Sequence, residues 1–259
     1  MHELPLVFFT VLAQASAGLL ILSVIHQVLS GKNASQSTLF KMGIAALVIV
    51  GIAGCSAILH LGRPFRAMNA LFGAGRSPMS NEIISCAIYG GLLFVNLAVT
   101  YLRPQLKGLQ LAARLLTAVA AVVLLILIPK VYTIETIPQW HTVFTPLQMV
   151  LAAFTAGGAL ALIWQPTRTN FLIMVIATIG SFLMTPSYMA HLSATAPAML
   201  QKGMGFFDAK MALYCLALVM AVVSYKKKVL PMAVCSGVVF ILAELAGRIA
   251  FYDLWSIGM

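Results

Sequence analysis

The sequence predicts an all-α integral membrane protein of eight transmembrane helices with both termini on the periplasmic side, and three observations carry that reading. Of the 259 residues, 61% are hydrophobic and 8% charged, and the mean hydropathy is +1.00, far above the half-apolar composition of soluble domains. Apolar segments of about 20 residues, long enough to cross a hydrocarbon core about 30 Å thick, recur from end to end, so residues 1–259 form a single polytopic membrane domain with no room for a soluble one. The runs are rich in Leu, Ala and Ile and do not alternate in polarity. They suit helices, because hydrocarbon offers the backbone no hydrogen-bond partners, and they do not read as barrel strands.

Each span is bounded by Pro, Gly or charge. The first, 5–28, opens at Pro5 behind the acidic Glu3; it lacks the basic start of a signal peptide and is expected to be retained. The second, 39–61, ends at His60 and Leu61, where Gly62 and Pro64 supply a stop signal. The third, 82–102, starts at Glu82 with Ser80 as its expected N-cap, and the fourth is 109–128, before Pro129 and Lys130. The fifth, 146–164, runs from Pro146 to Trp164, and the sixth, 170–190, follows Arg168. The seventh, 207–225, precedes three lysines, and the eighth is 229–254. "SAILHL" closing the second span and "SYMAHL" closing the sixth, each followed by an acid (Glu82, Asp208), form a weak echo that suggests two four-helix bundles.

Orientation follows from the basic residues. One side collects Lys32, Lys41, Arg103, Lys107, Arg114, Arg168, Lys226, Lys227 and Lys228; the other holds Arg63, Arg66, Arg76, Lys130, Lys202 and Lys210. The denser set is assigned to the cytoplasm, which leaves both termini outside. The formal charge of +10 is thereby a matter of topology, and nucleic acid is not expected as a partner. Cys55, Cys86, Cys215 and Cys235 each stand alone in apolar runs, which argues against a cluster or a disulfide framework. The connection 62–81 remains an anomaly, since it puts three arginines on the side that should be poor in them.

His60, Glu82, His141, His191, Asp208 and the pair Glu244/Arg248 all fall near the outer ends of their spans. Ionisable groups at membrane depth are costly and are functional candidates by default. His60 either forms a polar helix end or accepts a proton from a small polar head group. Glu82 either sits in the first helical turn, where the macrodipole favours a carboxylate, or joins Arg63, Arg66 and Arg76 in proton-coupled chemistry. Glu244 and Arg248, four apart, are expected to pair on one helix face and to lie beside a pocket formed by His60 and Glu82. A haem held by His60 and His191 has only the spacing in its favour, and nothing suggests a metal site.

The segments "HELPLVFFTVLAQASAG", "LHLGRPFRAMNAL", "GRSPMSNEI", "VYTIETIPQW", "FTPLQM" and "ELAGRIAFY" resemble, in order and from first span to last, the DmsC family, the membrane anchor subunit of anaerobic dimethyl sulfoxide reductases. The resemblance implies a three-subunit respiratory oxidoreductase with a molybdopterin catalytic subunit, a four-cluster iron–sulfur subunit, and an anchor that oxidises menaquinol and carries no haem or iron–sulfur cluster. It implies a quinol site at His60, Gly62, Arg66 and Glu82; the chemistry of these side chains makes His60 and Glu82 the expected catalytic pair, and span position adds Glu244 and Arg248 as further candidates beside them. The sequence is shorter than well-known members around 193–207 and at the tail, and the terminal acceptor belongs to the catalytic subunit. Two other functions are open: a purely structural anchor, or a proton-coupled transporter with Glu82, Asp208 and Glu244 as relay.

Overall fold

The computed structural model describes residues 3–30, 35–60 and 64–255, and side chains for all of these except 29, 30, 60 and 64–67. Among the described residues, eight α-helices follow one another: α1 (Leu4–Ser30), α2 (Gln36–His60), α3 (Pro78–Leu102), α4 (Lys107–Lys130), α5 (Phe144–Trp164), α6 (Arg168–Thr195), α7 (Pro197–Lys227) and α8 (Leu230–Asp253). All eight are long and apolar enough to span a membrane. A 3-10 helix, Pro64–Gly73, occupies the connection between α2 and α3.

The helices alternate in direction. One end of the bundle, termed upper, is where α1 begins, α2 ends, α3 begins and α8 ends. Consecutive helices pack together, α1 also lies against α4, and α5 also lies against α8. Contacts of α1 with α5 and α8 join the first four helices to the last four. The most apolar windows of α1 and α5 are 83% and 67% buried, against 39% or less in the other helices, so these two form the axis of the molecule.

Small residues make that axis possible. A Cβ on Gly18 would lie 1.8 Å from the Ala153 carbonyl oxygen, and one on Gly157 would lie 2.7 Å from the Leu19 nitrogen. Between helices surrounded by lipid, such close backbone approach supplies the packing that water would otherwise drive. Polar groups add specificity: the Ser16 hydroxyl donates to the Ala46 carbonyl at 2.7 Å and contacts the Tyr89 hydroxyl at 2.9 Å, tying α1 to α2 and α3.

The sequence boundaries need three corrections. α3 starts earlier than expected, because the N-cap is Ser77, whose side chain accepts from the Ser80 N–H, with Pro78 next in the helix. The expected connection 193–207 almost vanishes, since α6 runs to Thr195 and α7 starts at Pro197, with the single residue Ala196 between them in a non-helical conformation. Helices thus extend past their apolar segments. Lys210, counted as a loop charge, is a buried residue of α7 with 3% exposure.

Candidate functional site

Glu82 is the fifth residue of α3 and is 6% exposed. The earlier helix start places it beyond the first turn, so capping does not account for it. Its carboxylate interacts electrostatically with the Arg248 guanidinium of α8. From α1, Gln14 joins them: its Oε1 accepts from Arg248 Nη2 at 2.9 Å. Among the described residues, Glu82 Oε1, Arg248 Nη1 and Gln14 Nε2 are buried without a hydrogen-bond partner.

Two tyrosines complete this cluster. The Tyr252 hydroxyl donates to the Tyr132 oxygen at 2.5 Å, and both phenols sense the charges of Glu82 and Arg248. Burial above all, then the neighbouring Tyr252 and Glu82, holds the Tyr132 phenol well above the usual tyrosine range. It therefore stays protonated, with its own O–H available to a further acceptor. Trp140 stacks on Phe251 with centroids 5.0 Å apart and donates its indole N–H to the Phe251 carbonyl at 2.9 Å. Tyr132 meets Trp140, Phe251 and Tyr252 edge-on. The α4–α5 connection is thus clamped over the upper end of α8.

Glu244, one turn below Arg248, forms a second cluster. It does not pair with Arg248 as expected. Its Oε2 lies 3.5 Å from Lys210 Nζ of α7, and its Oε1 accepts from the Thr155 hydroxyl of α5 at 2.5 Å and from the Tyr214 hydroxyl. Facing inward, the two α8 residues find separate partners on separate helices. Gly247 makes the lysine's route possible, because a Cβ there would fall 2.4 Å from Lys210 Cδ.

The structure thus gathers Glu82, Arg248 and, one turn deeper, Glu244. Asp208 and His141 are exposed, and half-buried His191 packs against the Phe144 ring. His60 is the last residue of α2, but its side chain, the Arg66 side chain, Gly62 and Arg63 lie outside the described residues. Arg76 is exposed and donates to the Phe72 carbonyl at 2.8 Å. Sequence reasoning missed Gln14, Tyr132, Lys210, Tyr214 and Tyr252. Gln14 and Lys210 were legible as polar residues inside apolar runs, whereas the tyrosines carry no such signal.

Eight apolar helices enclosing ionisable groups near one end define a multi-pass membrane protein. The chain belongs to the DMSO reductase anchor subunit (DmsC) family, whose model matches residues 1–254. It is 29% identical to the C subunit of the anaerobic dimethyl sulfoxide reductase of Escherichia coli, over 100% of this sequence and 97% of that protein. It is 27% identical to the corresponding subunit of Haemophilus influenzae, over 98% and 95%. The anaerobic dimethyl sulfoxide reductase subunit YnfH of Escherichia coli is 32% identical over 66% of this sequence and 60% of its own.

Proposed function

We propose that this protein is the menaquinol-oxidising membrane anchor of a respiratory molybdopterin reductase of the dimethyl sulfoxide reductase type. It sits in the bacterial inner membrane with its upper end and both termini in the periplasm, and its two four-helix halves are joined through α1 and α5. The observation that carries the reading is the trio of buried, unpartnered polar atoms at the upper end, an acceptor on Glu82 and donors on Arg248 and Gln14. A quinol head group supplies the complement, since its hydroxyl donates to a carboxylate and its oxygens accept from amide and guanidinium N–H groups. Family membership supports the same function.

In this mechanism the head group enters from lipid between helices and its hydroxyl hydrogen-bonds to Glu82. Quinol becomes quinone by losing two electrons and two protons. Glu82 accepts one proton, and His60 at the end of α2 is assigned the other. Arg248, held by Gln14, and the free Tyr132 hydroxyl stabilise negative charge on the quinol oxygen as it forms. Gly62 is assigned to let the head group approach closely, and Arg66 to stabilise the negative charge that develops on the quinol oxygen. Electrons leave to a four-cluster iron–sulfur subunit docked on the upper face, where Arg63 and exposed Arg76 meet it, and pass on to the molybdopterin catalytic subunit. No haem or cluster of the anchor itself takes part.

The test replaces Glu82 with Gln or Lys in membranes that contain the whole complex. Quinol-dependent reduction of the terminal acceptor is expected to fall by about 100-fold, the scale of one lost general base, while a soluble dye that reduces the partner subunits directly supports normal turnover. Normal quinol oxidation by an assembled Glu82→Gln complex refutes the proton-acceptor role.

A further inference from the structure

At the lower end, where α1 finishes and α4 begins, a cavity of about 380 Å³ is lined by Gln27 of α1, Gln36 and Leu39 of α2, and Lys107, Gly108, Gln110, Leu111 and Arg114 of α4. Arg114 is 4% exposed, seven residues into α4 and hence about 10 Å from its start. Among the described residues its guanidinium has one hydrogen-bond acceptor, Gln27 Oε1 at 2.9 Å. Gln36 and Gln110 turn their amide N–H groups away to the Thr100 and Arg103 carbonyls, at 3.1 and 2.8 Å.

No carboxylate side chain is placed to neutralise this cation. The sequence has six acidic residues. Glu3, Glu82, Glu135 and Asp253 lie at the upper end. Asp208 and Glu244 lie about 28 and 21 Å above the lower ends of α7 and α8, from the helical rise per residue. A buried guanidinium without a counter-charge is costly, by several kcal/mol. Arg114 therefore stands apart from Arg248 and Lys210, both of which meet acidic residues.

Two further features of the same cavity favour an anion. Lys107 lines it as the first residue of α4, and no side chain caps that helix start. Lys107 thereby adds a second cation where unpaired backbone N–H groups and the positive end of the helix dipole also attract negative charge. Arginine matches phosphate oxygens with two parallel N–H bonds, which a glutamine oxygen cannot use fully.

We propose that this cavity binds a phosphate-bearing anion, with Arg114 as the buried ligand and Lys107 at the mouth. The position at a helix end beside lipid suits the phosphodiester of an anionic phospholipid, and free phosphate presents the same chemistry. The site is separate from the upper cluster and independent of quinol oxidation.

The test uses the full-length protein, purified in detergent and stripped of lipid. Native mass spectrometry counts lipid retained from equal amounts of phosphatidylglycerol and phosphatidylcholine, and calorimetry with sodium phosphate alone forms a second arm. Wild type is expected to prefer phosphatidylglycerol by tenfold or more, or to bind phosphate; the first outcome assigns the site to a headgroup and the second to the free ion. Arg114→Gln is expected to abolish the response and Lys107→Gln to weaken it about threefold, with Arg114→Lys partly restoring it. Because Lys107 is exposed, its variant keeps the test open should Arg114→Gln fail to fold. Equal retention of both lipids with no phosphate binding overturns the proposal, and so does a preference that both Gln variants keep.

Discussion

A carboxylate or an ammonium inside hydrocarbon is tolerated when its partners hold it from several sides. Glu244 meets this condition through Lys210, Thr155 and Tyr214. Lys210→Met leaves the carboxylate buried without its cation, and a loss of about 3–5 kcal/mol is expected, read as a lower unfolding temperature of the detergent-solubilised complex. Adding Glu244→Gln to that variant is expected to recover most of the loss. Glu82 differs, because one of its oxygens is unpartnered and its neighbours Arg248 and Gln14 each keep an unused donor. Its role is therefore read as ligand binding and that of Glu244 as structure. Tyr252→Phe removes the hydroxyl that donates to Tyr132, and a rise in quinol KM of about three- to tenfold is expected from one lost hydrogen bond, with the dye-driven reaction unchanged.

Among the elements, α1 does the most to hold the bundle together, and its sequence explains why. Small residues at Ala13, Ala15, Ala17 and Gly18 leave no bulk between it and its neighbours, while Gln14 and Ser16 reach specific partners. Gly18→Leu drives a side chain into the α5 backbone, so loss of the folded protein from membranes is expected, measured by immunoblot beside a Gly51→Leu control, where the space is open. The eight helices were legible in the sequence because length and hydropathy suffice to mark a span. Their ends were less legible: helices continue through residues of mixed polarity once a bundle supports them, as in α6 and α7, and only local chemistry such as Ser77 with Pro78 fixes a start. Partner choice was illegible, since a four-residue spacing brings Glu244 and Arg248 to one face but cannot say that α7 and α1 each offer a better partner.

For the whole molecule, the upper end gathers most of the acidic residues and the lower end most of the basic ones. Such asymmetry sets orientation. With the four native cysteines replaced by Ser, Arg76→Cys is expected to react with a membrane-impermeant maleimide added to intact cells, and Lys227→Cys only after the membrane is opened. The same division separates two proposed sites, one for quinol above and one for a phosphate-bearing anion below. The quinol site is the central one, and a photoreactive quinone bound to the assembled complex locates it most directly. Label is expected on the peptides carrying Glu82 and Arg248 to Tyr252, and to be displaced by menaquinol. Label confined to the cavity around Arg114, or unchanged in yield by Glu82→Lys and Arg248→Gln, contradicts the placement.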